Sequence, residues 1–94
     1  MRTVVWRPQA SSDFFQHIAY IAAENPHAAQ RLASKLLLAT KSLAVFPGKG
    51  RPGALPATRE LTTTPPFIIV YEILPEEIGI LRIWHAAQSR QEDA

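Results

Sequence analysis

The 94-residue sequence contains no cysteine. That excludes disulfide frames, thiolate nucleophiles and cysteine-based zinc sites together. Histidine is sparse too. His17, His27 and His85 are scattered along the chain and give little basis for a bound metal. No apolar run approaches the roughly 18 residues that span a bilayer, and the N-terminal "MRTVVWRPQ" has no hydrophobic h-region. The sequence therefore reads as a protein without signal peptide or membrane span, cytoplasmic by default, with no cofactor implied. Charge of one sign is also scarce: the net charge is +2, which suits an acidic protein partner or a nucleic acid without choosing between them.

What the chain does have is apolar residues, 47% of the total, so it is no disordered tail. Its length fits a single domain over residues 1–94, whose core is thin because small domains bury a smaller share of their surface.

The β-branched and aromatic "RTVVW" predicts a first strand, Arg2 to Trp6, stopped by Pro8. Proline is tolerated in the first turn of a helix, and Phe14, Ile18, Ile21 and Ala22 follow at helical spacing. A helix is expected from Pro8 to Glu24, with Asp13, Gln16 and His17 on its more polar faces. Asn25 and Pro26 then suit the N-cap and first position of a second helix. Its stripe is Leu32, Leu36, Thr40 and Leu43, and it ends near Phe46, before Pro47 and Gly48. So short a link makes the two helices an antiparallel hairpin.

"PGKGRPGALPA" reads as loop. Its "GKG" fails the phosphate-loop pattern, which follows a strand and ends in Lys-Ser/Thr. "TRELTT" suggests a short strand near Thr58 to Leu61, and "TTPP" a turn. "FIIVYEIL" and "IGILRIW" are the strongest strands, joined by a turn at "PEE". The expected fold is α+β, in the order β-α-α-β-β-β. It has a small, antiparallel-dominated sheet with the N-terminal helical hairpin packed on one face. Residues 88–94 are expected to form a flexible tail.

Closing the last hairpin at Glu76 and Glu77 sets Tyr71 opposite Arg82 and Val70 opposite Ile83. One face then carries Ile69, Tyr71, Ile73, Ile80 and Trp84. The other carries Ile68, Val70, Leu81, Ile83 and His85, with Glu72 as its charged member. Two helices cover one face. The second, also apolar, calls for a protein partner, a second copy or the C-terminal residues.

Five stretches, "NPHAAQRL", "LAVFPGKGRPG", "TREL", "IIVYEI" and "ILRIWHAA", run in order over nearly the whole chain. In these the sequence resembles the ParE/RelE superfamily of bacterial type II toxin–antitoxin toxins, closest to its ParE-like, plasmid-stabilisation branch. The resemblance implies a cognate antitoxin whose acidic C-terminal segment wraps the toxin. It would lie on the second face, over Ile68, Val70, Leu81, Ile83 and His85. RelE-like members cleave mRNA on the ribosome, whereas ParE-like members inhibit DNA gyrase by binding it. Direct specific DNA binding by the toxin alone is not implied.

RelE-like nucleases carry an arginine where this chain has Ile68, and another where it has Gln88. Their lysines map roughly to "TREL", which offers Arg59 only. The resemblance thus implies gyrase inhibition ahead of RNA cleavage, since a nuclease needs those cations to stabilise developing charge. Many ParE-like chains have Arg-Asp where this one has Gln88-Ser89. A nuclease built on this sequence would have to use Arg59, Arg82, His85 and Arg90. A member that binds antitoxin but has lost toxicity is a third reading. Residue by residue, His85 reads first as a strand-end histidine bonded to backbone and second as a general base. Arg82 reads as a cation–π partner of Tyr71. Arg59 and Glu60 read as strand-surface ion-pairing residues. Trp6 is expected to pack under the helices.

Overall fold

The computed structural model describes residues 1–87. Strand β1 (Thr3–Trp6) leads into helix α1 (Pro8–Ala22) and helix α2 (Pro26–Ser42). A 3-10 turn at Pro47–Lys49 and a two-residue strand β2 (Arg51–Pro52) follow. Strands β3 (Arg59–Thr64), β4 (Phe67–Ile73) and β5 (Glu77–His85) complete the described chain. The α+β class, the order of elements and the helical hairpin agree with the sequence reading. Two details differ. The loop "PGKGRPGALPA" contributes β2, and β3 extends through Thr64 because the Pro65–Pro66 turn, not Leu61, ends it. The tail expected at residues 88–94 lies outside the described residues.

Local chemistry accounts for the helix boundaries. Proline at the first position starts both helices. The Asn25 side chain accepts a hydrogen bond from the Ala28 amide at 3.0 Å and caps α2. Both helices stop short of the expected residue, α1 at Ala22 and α2 at Ser42, where the last carbonyls turn into tighter bonds such as Leu43 N–H to Thr40.

The five strands lie in the order β1-β5-β4-β3-β2. β1 runs parallel to β5, and the other neighbours are antiparallel. The helical hairpin covers one face. There Ala10, Phe14, Leu36 and Leu43 meet Leu61, Phe67, Ile69, Tyr71, Ile78, Ile80 and Ile83. Trp6 packs edge-on to Phe14 beneath α1, as expected, at 5.4 Å between ring centres.

The register of the β4–β5 hairpin corrects the sequence reading. Tyr71 pairs with Ile80 and Val70 with Arg82, so the ladder skips Leu81. This is a bulge: two residues on one strand oppose one on the other. Unbroken alternation would have put Ile83 and His85 on the second face and Trp84 under the helices. The extra residue reverses that order. Ile83 enters the helix-side core, His85 stacks edge-on against Phe67 of that core, and Trp84 joins Ile68 and Val70 on the far side. The assignments of Ile69, Tyr71, Ile80, Ile68, Val70 and Leu81, all before or at the bulge, are as expected.

Candidate functional site

β1 ends early. Its last ladder partner is Ile80, followed by one bond from the Arg7 amide to the Ile80 carbonyl, because Pro8 turns the chain into α1. The rest of β5 therefore has a bare edge, and unpaired strand groups are costly when buried. Two side chains of α1 take the place of the missing strand. Asp13 Oδ2 accepts from the Ile83 amide at 3.0 Å. His17 Nε2 lies 2.8 Å from the Ile83 carbonyl, a geometry in which it donates. Asp13 also receives Arg82 through Nε at 2.7 Å and Nη2 at 3.2 Å. Residues 13 and 17 are one helical turn apart and flank the apolar stripe of α1, so both reach the same strand residue. Asp13 is buried and His17 half-buried, not on solvent-facing polar surface.

The far face of the sheet is built around Ile68, Val70 and Trp84, with Leu81 and Ala86 against them. The guanidinium of Arg82 lies over the Trp84 ring, two residues along the same face, 5.6 Å from its centre, and not over Tyr71, because the bulge sets Arg82 opposite Val70 and Tyr71 opposite Ile80. Glu60 is buried on this face. It pairs with Arg51 at 3.1 Å and accepts from the Ala54 amide at 3.1 Å, while Arg59 donates to the Gly50 carbonyl. The expected ion pairing of Arg59 and Glu60 is thus divided between different partners. Trp84 is 6% exposed, and among the described residues its indole Nε1 has no acceptor.

Among the described residues, the structure does not bring the candidate nuclease residues Arg59, Arg82 and His85 together. Arg59 stands opposite Tyr71 and His85 opposite Phe67, on the two sides of β4. Those positions are four residues apart, about 14 Å along the strand at about 3.4 Å per residue. Arg82 is held by Asp13, and Arg90 and Gln88 lie outside the described residues. His85 instead shares a shallow groove with Gln16, His17 and Tyr20. Phe67 sits between the two imidazoles, with ring centres at 4.9 Å from His17 and 5.5 Å from His85. His85 Nδ1 also accepts from the Ala87 amide at 3.1 Å, the backbone bond expected of a strand-end histidine. Of the residues expected on the second face, Ile68, Val70 and Leu81 gather there. Ile83 and His85 do not. Asp13, His17, Glu60 and Trp84 are the members that sequence reasoning missed. The four-residue spacing of Asp13 and His17 beside an apolar stripe was the one available signal.

Residues 4–90 match the family described as ParE toxin of type II toxin-antitoxin system, parDE.

The chain belongs to the ParE toxin family.

It is 41% identical over 88 residues to Toxin RelE2 of Caulobacter vibrioides, covering 94% of this chain and 99% of that protein. A solved chromosomal ParDE toxin–antitoxin system of P. aeruginosa superposes with a TM-score of 0.80 at 27% identity, covering 90% of this chain and 96% of that one. The E. coli DinJ-YafQ complex shares the fold alone, at a TM-score of 0.54 and 15% identity over 94% of this chain and 97% of that one.

In this ParE-family toxin, three of the stretches that carry the resemblance meet at one point. The Tyr71 hydroxyl, from "IIVYEI", donates to the Pro47 carbonyl at 2.7 Å and accepts from the Gly50 amide at 2.9 Å, both in "FPGKGRPG". Arg59, from "TREL", holds the Gly50 carbonyl at 3.1 Å. Gly50 is required by space: a Cβ there would sit 2.7 Å from the Tyr71 hydroxyl. Burial pushes the Tyr71 phenol above its ordinary pKa, partly offset by the Gly50 bond and the charge of Arg59. At the other end of the sheet, the hydrogen bond and charge of Glu77 hold the Arg7 guanidinium above its usual value.

Proposed function

We propose that this toxin of a type II system arrests growth by binding DNA gyrase and is neutralised by a cognate antitoxin. The observation that carries the choice of target is the dispersal of the cations. Cleavage of RNA needs several cationic and acid–base groups converging on one phosphate. Here Arg59 is tied to the 47–53 loop, Arg82 to Asp13, and Ile68 fills the strand position where the nuclease branch has an arginine. A nuclease on this chain would be left with the His17–His85 groove.

The test is a pair of assays on the purified chain. In a gyrase reaction, supercoiling should be lost. In a translating extract, a labelled mRNA should remain intact. His85→Ala and Arg59→Ala should leave gyrase inhibition within about twofold. Codon-positioned cleavage that drops about 100-fold or more in His85→Ala would establish the nuclease reading instead. Silence in both assays with antitoxin binding retained would identify a non-toxic member.

The antitoxin's acidic segment is placed on the second face, over Leu81 and beside Ile68, Val70 and Trp84, where the unmet Trp84 donor also lies. Ile83 and His85, on the helix side, are left out of that contact. Leu81 is half-buried at a bulge, so a polar side chain there disturbs the fold little. Leu81→Glu should weaken antitoxin binding about tenfold or more, by lost apolar contact and charge repulsion. Unchanged affinity in isothermal titration would move the antitoxin off this face.

A further inference from the structure

The positive charge of the described chain is not spread evenly. Arg7, Arg51 and Arg82 are each neutralised by a carboxylate, Glu77, Glu60 and Asp13 respectively. Arg2 and Arg59 are committed to backbone carbonyls. Helix α2 is different. It carries Arg31, Lys35 and Lys41 and contains no aspartate or glutamate. All three cations are exposed, and none is in an ion pair among the described residues.

Helical geometry puts these residues on one side. His27, Arg31 and Lys35 follow at intervals of four, about 6 Å apart along the axis, and Lys41 lies about 9 Å beyond Lys35 and about 120° around the helix from it, on the flank of the exposed surface. From His27 to Lys41 the stripe runs about 21 Å. Ser34 and Gln30 lie among the cations, and across the groove β3 presents Thr63 and Thr64 beside Arg31 and Lys35. Hydroxyl and amide groups among unpaired cations are the side chains that hold phosphate oxygens. α2 contains no Phe, Tyr or Trp, so it lacks the large stacking platforms on which successive bases of single-stranded nucleic acid sit.

From this we infer that the exposed face of α2 docks on the phosphate backbone of duplex DNA, without reading its sequence. A rigid row of cations with no carboxylate among them fits a regular array of phosphates. The exposed Leu38, which lines the same groove as Arg31 and Lys35, and Leu37 beside it are the part that an acidic amphipathic protein segment would use instead. This inference does not depend on gyrase being the target.

The test is fluorescence anisotropy with a labelled 20-base-pair duplex of arbitrary sequence and the intact chain. Binding is expected in the micromolar range, on the order of 10⁻⁵ M, as for non-specific contacts. With three phosphate contacts the logarithmic salt slope is about −2.7, so raising salt fourfold should weaken binding about 40-fold. Arg31→Glu and Lys35→Glu should each lose about tenfold or more. Lys49→Glu, with the same change in net charge away from the stripe, should stay within about twofold. Equal losses in all three variants would reduce the effect to net charge and overturn the inference. So would tighter binding of the single-stranded 20-mer. Stripe-dependent binding of a glutamate-rich amphipathic peptide, with none of the duplex, would reassign the face to a protein partner. Circular dichroism of each variant guards against misfolding, because all the substituted residues are exposed.

Discussion

Asp13→Ala should destabilise the protein by about 3 kcal/mol. The carboxylate accepts four hydrogen bonds, two from Arg82, one from the Ile83 amide and a long one of 3.5 Å from Gln9. Removing it leaves a buried strand amide without an acceptor and an arginine without its counter-charge. Loss of one partner of a fully buried pair costs about 3–5 kcal/mol, and an orphaned buried amide about 1–3. The Arg82 side chain is 30% exposed, so solvent recovers part of its loss and the lower end of the range applies. For a domain of this size, about 3 kcal/mol lowers the melting temperature by about 12–24 °C. Asp13→Asn keeps an acceptor for Ile83 and should lose about half as much. A double-mutant cycle with Arg82→Met should show coupling of about 1 kcal/mol or more. A loss below about 1 kcal/mol in urea titration, with no coupling, would mean that α1 does not hold the open half of β5.

Tyr71→Phe should cost about 2–3 kcal/mol although it removes a single oxygen. Tyr71 is 0% exposed, and its hydroxyl bonds both Pro47 and Gly50. The phenylalanine leaves a donor and an acceptor unmet, each worth about 1–3 kcal/mol if it stays buried. The loop can move outward to meet water, which limits the loss and predicts a second sign. Cleavage after Lys49 by trypsin should accelerate more than global stability alone requires. Unchanged proteolysis would mean that the loop is held by Arg59 and not by Tyr71. Alkaline pH provides an independent check. The folded phenol has a raised pKa, so folding favours its neutral form. That contribution is fully present below the unfolded value of about 10 and is lost as pH rises through the folded value. The native protein should therefore lose stability at alkaline pH in a step that Tyr71→Phe lacks.

The sequence showed the secondary structure well where the signals were local. Pro8, Asn25 and Pro26 mark helix starts that the structure reproduces. The apolar spacing of Phe14 and Leu36 identifies the inward stripes, and both residues are buried in the core. The β4–β5 hairpin was correctly paired in topology and misaligned in register. An alternation rule has no means of detecting one extra residue, and the bulge at Leu81 changed the side of Ile83, Trp84 and His85 together. The candidate site was less legible for the same reason. Arg59 lies on β3, and Arg82 and His85 lie on β5, with β4 between them. Their separation depends on register, and the commitment of Arg82 depends on a helix about 70 residues earlier.

The sequence by itself determined the α+β class, the helical hairpin, the β-strand order along the chain and the family resemblance. These rest on periodicity, caps, turn residues and ordered stretches, all of which are properties of neighbours along the chain. Only the tertiary structure decided where β1 lies, that its end at Trp6 falls opposite Ile80, and that Asp13 and His17 complete the edge it leaves open. Those outcomes depend on contacts between distant segments. The ladder groups of Ile83 need partners once they are removed from water, and which partners are available is fixed by the packing of α1 against β5.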